Sequence, residues 1–283
     1  MNMNLKKKGK QIKPDPGATK TRRDYFKEYL SIAPISLAIV RAIECRLLSR
    51  FEFSHPVLDI GCGDGLFASM FFREQLDDGI DVSPDEIRRA RKSGAYKNLR
   101  VSNAADLPYD DKTFQTVFSN CVLEHILPID DVLKEISRVL KTDGKLIFTV
   151  PSETISENLF FNSLLRKIGL VRTGELYSKK FNSYFKHYNL ISPEKWEKKL
   201  ETAGLKMVSC ERYLSPGATK VHEITLIFGV PSIIFKKLFG RLILLPSIRR
   251  NIVVPIIYPL FKRIYESDSK TGSSLLIVAR KQV

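Results

Sequence analysis

The chain has 283 residues, 43% of them apolar and 27% charged, which is enough apolar material for a core and excludes disorder throughout. Its formal net charge of +15 is unevenly distributed: residues 1–30 carry 9 basic and 3 acidic side chains, residues 31–150 carry 15 and 18, and residues 151–283 carry 22 and 10. An anionic partner is therefore expected to meet the flanks and not the slightly acidic centre.

The N-terminal segment and the cysteines bear on localisation. Residues 1–24 are basic, but Pro14-Asp15-Pro16-Gly17 stands where a signal peptide would need an apolar run, so we expect a flexible tail. Four widely spaced cysteines form no C-x-x-C pair, which indicates neither a metal site nor a disulfide framework and favours a reducing compartment. We therefore predict a cytoplasmic protein that binds no metal.

From residue 25 onward the pattern is helical, with Pro34 as a break, and it then alternates between short apolar strands and helices. Ser83-Pro84 starts one of these helices, because Ser favours the capping position and Pro the first helical position. Strands are predicted at 57–60, 79–82, 99–101, 114–119 and 145–150, and the intervening helices at 66–72, 83–94 and 130–140. This alternation predicts an α/β fold with a doubly wound, mostly parallel sheet.

The pattern changes after residue 150. An aromatic-rich stretch without a clean period is predicted to be a cap over the substrate, and two later strands, at 205–213 and 274–279, complete seven. A capped helix starting at Ser192 precedes the first of them. The chain is accordingly divided into a tail at 1–24, a cofactor-binding core with N-terminal helices at 25–150, a cap at 151–190, more core at 191–215, a basic amphipathic insertion at 216–270, and the last core strand at 271–283.

A glycine-rich turn follows the first strand. Gly61, Gly63 and Gly65 stand at alternate positions, where the lack of a Cβ allows a tight turn and a close approach to a ligand. The next helix directs its first N–H groups at the same place. Such a turn is a weak signal alone, so its meaning depends on the residues around it.

Those residues form an ordered set. Asp59-x-Gly61-x-Gly63-x-Gly65 is followed by Asp81 at the end of the second strand and by Ala105-Asp106 after the third. The set resembles the class I S-adenosylmethionine-dependent methyltransferases, which implies their Rossmann-like sheet. Residues 119–126 (SNCVLEHI), 138–144 (RVLKTDG) and 187–190 (HYNL) look like the small-molecule branch of that family. The resemblance is close over 53–150 and loose over 187–213.

The resemblance implies S-adenosylmethionine as cofactor and a role for each acid. Asp81 would accept hydrogen bonds from both ribose hydroxyls and Asp106 from the adenine amine. Asp59 and the backbone at Gly61 and Gly63 would hold the methionine end, with Gly65 completing the turn. Asp81 as a turn or capping acid, and Asp106 as a surface loop acid, remain alternatives.

A nicotinamide dehydrogenase is the nearest rival, because it also needs an acid after its second strand. The third glycine of G-x-G-x-x-G is absent here, and Asp64 puts a negative charge where a pyrophosphate would approach. After the fourth strand, Ser119-Asn120-Cys121-Val122 replaces the Asn/Asp-Pro-Pro-aromatic motif of amine-directed nucleic-acid methyltransferases. We therefore expect an O- or C-acceptor and no nucleic-acid partner.

Methyl transfer needs a general base only when the acceptor must lose a proton. His125 and His187 are the best candidates, because both fall in segments expected to rim the acceptor pocket. A structural or substrate-orienting role is the alternative for each. Glu124 and Tyr184 are weaker candidates for the same task.

Residues 224–265 form a basic apolar block with seven Lys or Arg residues and no acid. No uninterrupted apolar run reaches the ~18 residues of a membrane-spanning helix. From Ile234 to Leu245 the apolar residues keep helical spacing with Lys237 and Arg241 on another face, as in a helix lying on an anionic membrane. An insertion packed on the sheet or on a second subunit is the alternative.

Taken together, the sequence predicts a methyltransferase acting on an amphiphilic or lipid-linked small molecule at the inner face of the membrane. One alternative is an enzyme for a soluble metabolite or sugar, with the block as a homodimer interface. Another is a non-catalytic protein that binds through the cofactor fold.

Overall fold

The computed structural model describes residues 23–282, so residues 1–22 of the predicted tail lie outside the described residues. The strands are β1 Val57–Ile60, β2 Leu76–Asp81, β3 Tyr96–Val101, β4 Phe114–Asn120, β5 Leu140–Pro151, β6 Leu205–Tyr213 and β7 Ser274–Lys281. They form one seven-stranded sheet in the order β3-β2-β1-β4-β5-β7-β6. Strands β1 to β5 are parallel and β7 is antiparallel to both neighbours, so the predicted mostly parallel sheet is confirmed.

The helices are α1 Tyr25–Ile32, α2 Ile35–Leu48, α3 Leu66–Phe71, α4 Pro84–Ser93, α5 Ile129–Val139, α6 Ile155–Asn158, α7 Phe160–Lys167, α8 Val171–Tyr184, α9 Pro193–Thr202, α10 Pro216–Thr225, α11 Val230–Phe239, α12 Pro246–Ile248 and α13 Val254–Glu266. Two 3₁₀ turns occupy Leu123–His125 and Leu226–Gly229, and a π turn occupies Arg249–Val253. The predicted break at Pro34 separates α1 from α2.

Helices cover both faces of the sheet, as a doubly wound fold requires. On one face Ile39 of α2 packs with Phe118 and Ile147 of the sheet. On the other, Ile136 of α5 and Trp196 of α9 pack with the same strands from the opposite side. The carboxyl ends of the parallel strands therefore share one edge of the sheet, where ligands of such folds bind.

Three strands are longer than their apolar patterns predict. Strand β2 begins at Leu76 and β3 at Tyr96. The acidic residues of β2 can occupy strand positions because side chains of β3 pair with their carboxylates: Lys97 Nζ lies 2.7 Å from Asp77 Oδ1. Strand β5 begins at Leu140 and contains the predicted turn at 143–144 as a bulge. Phe114 pairs with Leu140 and Thr116 pairs with Lys145, so the four residues 141–144 of β5 lie opposite one residue of β4, Gln115.

The predicted helix from Ile234 to Leu245 is wrong in its second half. Helix α11 ends at Phe239, and Gly240 has a φ of 68°, the left-handed conformation that commonly terminates helices. The apolar residues beyond it therefore lie off the α11 axis. Helical spacing alone did not reveal this, because Gly240 ends the helix while the apolar residues on both sides of it keep the helical period.

Within residues 23–282, one helical stretch is apolar enough to cross a membrane by length and composition alone. It joins α10, a 3₁₀ turn and α11 over Pro216–Phe239, with a mean hydropathy of 1.3. The search for apolar runs in the sequence missed it, because polar residues of α10 interrupt the run. Those polar residues are held by the fold: the side chain of Glu223, 5% exposed, accepts hydrogen bonds from Phe160 N and Tyr177 Oη.

Candidate active site

The glycines of the turn after β1 are required for different reasons. Gly61, Gly63 and Gly65 have φ angles of 74°, 53° and 76°, in the region that favours glycine. A Cβ on Gly61 would lie 2.5 Å from Cγ atoms of Val122, whereas a Cβ on Gly63 would meet no atom within 4 Å. Gly61 is therefore needed for packing, and Gly63 leaves open space in front of its backbone.

Asp59 provides a buried acceptor at the end of β1. It is 5% exposed, and its Oδ2 accepts a hydrogen bond of 2.6 Å from Tyr96 Oη. Burial raises the pKa of Asp59 to about 7; the Tyr96 hydroxyl opposes this rise and the charge of Asp81 adds to it. A cationic group bound beside Asp59 would lower that pKa and stabilise the carboxylate.

Asp81 ends β2 and is held by the backbone on both sides. Its Oδ2 accepts from Gly63 N at 3.0 Å, and its Oδ1 accepts from Ser83 N at 2.8 Å. The carboxylate thus joins the glycine turn to the start of α4. This is the structural role, as a turn acid, that the sequence analysis gave as the alternative to ribose binding. Because each carboxylate oxygen can accept a second hydrogen bond, this role leaves Asp81 able to bind hydroxyl groups as well.

Two cavities meet at Gly61. The smaller, of 240 Å³, is lined by Asp59, Gly61, Gly63 and Asn120 among others. The larger, of 420 Å³, is lined by Gly61, Asp81 and mostly apolar side chains. One elongated ligand with a charged end and a nucleoside end could occupy both, with its middle at Gly61.

Two cations line the smaller cavity, and neither belongs to the glycine motif. Arg41 on α2 donates to Glu44 Oε2 at 2.7 Å. Lys236 on α11 lies 2.9 Å from Asp64 Oδ2 and 3.3 Å from Glu86 Oε2. Burial disfavours the charged form of Lys236, but the two carboxylates outweigh it, so its pKa is raised. A ligand carboxylate would find positive charge here, and the ammonium group beside it would find Asp59.

Asp106 is placed apart from the other predicted residues. It is exposed, and it is not among the residues that line the 420 Å³ cavity, where Ser102, Asn103 and Ala104 stand instead. Its backbone N–H donates to Asn103 O at 3.1 Å. The structure therefore brings Asp59, the glycines and Asp81 together, while the role of Asp106 toward adenine stays a prediction.

The two candidate bases lie face to face beside the larger cavity. The rings of His125 and His187 stack at a centroid distance of 5.5 Å, and His125 lines the cavity. Burial lowers the pKa of both, and the neighbouring His125 and His222 help to lower that of His187 to about 4. Both rings are therefore neutral near pH 7 and able to accept a proton or a hydrogen bond, His187 only weakly as a base.

Glu124 is the most unusual titratable group of this region. It is 2% exposed, its Oε1 lies 3.6 Å from His125 Nε2, and its Oε2 has no hydrogen-bond partner among the described residues. Burial raises the pKa of Glu124 to about 8, against the effect of its own backbone N–H and of Arg41. Near pH 7 the side chain is therefore protonated.

Comparison with known proteins identifies the family. Residues 58–148 match the model of a methyltransferase domain. Demethylmenaquinone methyltransferase from Tropheryma whipplei is 30% identical over 196 residues, a match that covers 65% of this chain and 79% of that protein. The chain belongs to the S-adenosylmethionine-dependent methyltransferases. The cofactor of this methyltransferase is S-adenosylmethionine.

Other relatives of the methyltransferase match over less of their length. Sterol 4-C-methyltransferase from Caenorhabditis elegans is 32% identical over 38% of this chain and 35% of its own length. An uncharacterized methyltransferase from Schizosaccharomyces pombe is also 32% identical, and the match covers 44% of this chain and 48% of that protein. The chain thus spans between a third and a half of these two relatives.

Solved structures confirm the methyltransferase fold. A SAM-dependent methyltransferase from Thermotoga maritima superposes with a TM-score of 0.53 at 16% identity, covering 91% of this chain and 94% of that one. The [4+2]-cyclase SpnF superposes with a TM-score of 0.53 at 18% identity, covering 86% of this chain and 81% of that one. The predicted fold is therefore confirmed.

The residues around Gly61 fit the cofactor of the methyltransferase. Its zwitterionic methionine end matches the smaller cavity, where a buried carboxylate and two cations meet. Its nucleoside end matches the larger cavity, which is apolar except for Asp81, Ser102, Asn103, His125 and Tyr188. The open space at Gly63 allows the close approach between the two ends.

Several polar residues of this methyltransferase site escaped the sequence analysis. The buried Glu44 of α2 accepts hydrogen bonds from Arg41, from Asn120 Nδ2 at 2.9 Å, from Cys121 Sγ at 3.1 Å and from Tyr213 Oη at 3.0 Å. These five residues come from three segments that lie far apart in sequence: α2, the end of β4 and the end of β6. The one usable signal was Asn120 at the carboxyl end of β4, where site residues of such folds stand.

Proposed function

We propose that the protein transfers a methyl group from S-adenosylmethionine to an oxygen or carbon atom of an amphiphilic or lipid-linked small molecule at the surface of a membrane. One observation carries the membrane part: the apolar, acid-free block 224–265 directly borders the cofactor site. Lys236 and Leu242 of this block line the 240 Å³ cavity. The surface that would meet lipid is thus also a wall of the site.

The outer face of the block is unusually apolar for a protein surface. Ile227, Phe228, Ile233, Leu238 and Ile256 are between 65% and 71% exposed. Large contiguous apolar patches on a protein surface mark protein or membrane contacts. The cations interspersed among these residues favour an anionic membrane over a second copy of the same cationic surface.

The relatives are compatible with an apolar acceptor. They are named for a sterol and for demethylmenaquinone. Both of these acceptors are apolar small molecules, with different skeletons. From these names we infer only the class of the acceptor of this protein, an apolar small molecule, and not its identity.

Methyl transfer requires that the acceptor be aligned with the methyl group and that water be excluded from the site. When bound, S-adenosylmethionine supplies a methyl group already activated on a sulfonium. The protein has to hold the acceptor in line and exclude water, and we assign the exclusion of water to the predicted cap formed by residues 151–190. If the acceptor atom carries a proton, neutral His125 beside the larger cavity can take it at Nε2, because its Nδ1 faces the backbone oxygen of Lys186.

Cofactor binding is tested by calorimetry with S-adenosylmethionine. We expect wild type to bind and Asp81→Ala to bind at least tenfold more weakly, because hydrogen bonds to a charged group are worth about 1.5–3 kcal/mol each. Asp110→Ala, at an exposed site that lines neither cavity, serves as the matched acid-to-alanine control. Binding that Asp81→Ala leaves unchanged would overturn the assignment.

Membrane binding is tested by vesicle flotation of surface variants. Deleting residues 224–265 would also remove the buried core side chain of Val254 and could unfold the protein, so point substitutions of exposed residues test membrane binding more directly. The triple variant Ile233→Ser/Leu238→Ser/Ile256→Ser should lose flotation. The control Ile168→Ser/Leu170→Ser/Leu176→Ser, exposed residues of the cap, should retain it. Equal flotation of the two variants argues against the membrane proposal.

A soluble acceptor with the block as a dimer interface is the competing function. It predicts that wild type sediments as a dimer without lipid and that the block variant sediments as a monomer. Incubation of cell extracts with the protein and methyl-labelled cofactor then identifies the acceptor: label in the lipid fraction supports the proposal, and label confined to water-soluble products contradicts it.

A further inference from the structure

A second, cationic cleft lies beside the cofactor site, between α4 and α11. It has a volume of 730 Å³ and shares Asp64, Leu66 and Lys236 with the 240 Å³ cavity. Six of the residues lining it are basic: Arg88, Arg89, Lys92, Lys236, Lys237 and Arg241. Asp64 and Asp85 are the acids of the lining, so positive charge dominates.

Half of these cations are already neutralised. Arg88 pairs with Asp85 at 2.8 Å, Arg89 with Glu86 at 2.7 Å, and Lys236 with Asp64 and Glu86. The first two pairs lie within α4, whereas Lys236 joins α11 to the glycine turn and to α4. The other three cations of the cleft are not neutralised by these pairs and give the cleft its net positive charge.

Lys92, Lys237 and Arg241 are exposed and have no carboxylate partner among residues 23–282. Lys92 is at the end of α4, Lys237 is on α11, and Arg241 follows it. Three like charges brought to one cleft repel one another, so an anion that binds all three gains both attraction and relief of repulsion. A phosphate group, with several acceptor oxygens, has the matching chemistry.

The same wall of the cleft continues into apolar surface. Leu238 and Phe239 line the cleft and are 68% and 60% exposed. An anion that carries an apolar chain would satisfy both parts, whereas inorganic phosphate would use only the cations. Nucleic acid is a poorer match, because Phe239 is the sole aromatic side chain of the lining available for stacking a base.

We propose that the cleft between α4 and α11 binds the phosphate headgroup of an anionic membrane lipid through Lys92, Lys237 and Arg241. This inference rests on the proposed membrane-surface function and sharpens it. The apolar face of α11 enters the membrane, while the cleft selects anionic headgroups and sets the distance of the cofactor cavity from the lipid. The lipid therefore binds next to the site and not in it.

Flotation with two kinds of vesicle separates this inference from the proposed function. Neutral phosphatidylcholine vesicles report the apolar contact, and vesicles that also contain phosphatidylglycerol report the cleft. The variant Lys92→Gln/Lys237→Gln/Arg241→Gln is compared with Lys195→Gln/Lys198→Gln/Lys206→Gln. The latter removes the same charge from exposed positions on α9 and β6, at the opposite edge of the sheet.

We expect wild type and the α9–β6 control to bind anionic vesicles more tightly than neutral ones. Each cation near an anionic leaflet contributes a factor of about five, so the cleft variant should lose on the order of 100-fold in affinity for anionic vesicles and keep its affinity for neutral ones. Equal losses in the cleft variant and the control would overturn the inference while leaving membrane binding intact.

Two further outcomes count against a lipid headgroup. If the cleft variant loses binding of inorganic phosphate or of a single-stranded oligonucleotide, but floats with anionic vesicles like wild type, the cleft serves a soluble anion. If wild type floats with neither kind of vesicle, the membrane part of the proposed function fails first and this inference fails with it.

Discussion

The glycines of one turn carry two separate constraints. At Gly61 the limit is the neighbouring Val122, whose methyl groups occupy the place of a side chain, whereas at Gly63 the space is empty. Both positions have left-handed backbone, which costs an ordinary residue roughly 1–2 kcal/mol. Packing and ligand access can therefore be tested separately within three residues.

We expect Gly61→Ala to lower the free energy of unfolding by roughly 2–4 kcal/mol, because the backbone strain adds to a steric clash. Gly63→Ala should lose only about 1–2 kcal/mol. Its methyl group would project into the cavity, so its affinity for S-adenosylmethionine should fall at least tenfold. Urea denaturation and calorimetry measure the two effects. Equal stabilities of the two variants would contradict this division of roles.

At the scale of elements, α11 is the notable addition to the fold. Most of its apolar side chains face outward, and its connection to the core includes Lys236, which joins Asp64 of the glycine turn to Glu86 of α4. These groups are 25–29% exposed, so each pair contributes no more than about 1 kcal/mol. A helix held in this way should open locally more easily than the sheet.

Removing this connection should loosen α11 without unfolding the protein. We expect Lys236→Met to raise the hydrogen-exchange rate of amides in Val230–Phe239 by about three- to tenfold, with little change in the sheet. Lys237→Met, one position further on an exposed side chain, is the control and should leave these rates unchanged. If both variants exchange like wild type, the Lys236 ion pairs do not hold α11.

At the scale of the whole molecule, buried ionisable groups link stability to pH. Burial raises the pKa of Glu124 to about 8 and that of Asp59 to about 7. Either group stabilises the fold fully below its unfolded pKa, and that contribution is lost as pH rises through the folded pKa. His187, whose pKa is lowered to about 4, acts in the opposite direction between about pH 4 and 6.5. These opposing effects both contribute to the pH profile of wild type.

Glu124→Gln isolates one of them. Glutamine mimics the protonated carboxyl, so the variant should match wild type near pH 4.5 and become progressively more stable than wild type up to about pH 8. The difference should grow by up to about 1.4 kcal/mol per pH unit. Urea denaturation at a series of pH values measures it, with Glu157→Gln on the cap as control. A difference independent of pH would show that Glu124 ionises normally.

Local patterns were sufficient for the fold. Alternating apolar runs, Ser83-Pro84 at a helix start and the glycine turn predicted the sheet, its layers and the family, because each depends on residues close in sequence. Where a long-range partner decided the outcome, the prediction was wrong: the acids of β2 were accepted into a strand by Lys97 and its neighbours. The end of α11 at Gly240 was instead a local signal that the apolar spacing alone did not reveal.

The sequence by itself determined the cofactor fold, because β1, the turn and the acid of β2 lie within 25 residues of one another. Only the tertiary structure decided what surrounds it. Arg41, Lys236 and Arg241 come from segments far from the glycine turn, and their charges matter only through the space they share with it. Charge and cavity shape depend on three-dimensional proximity, which no local pattern of residues encodes.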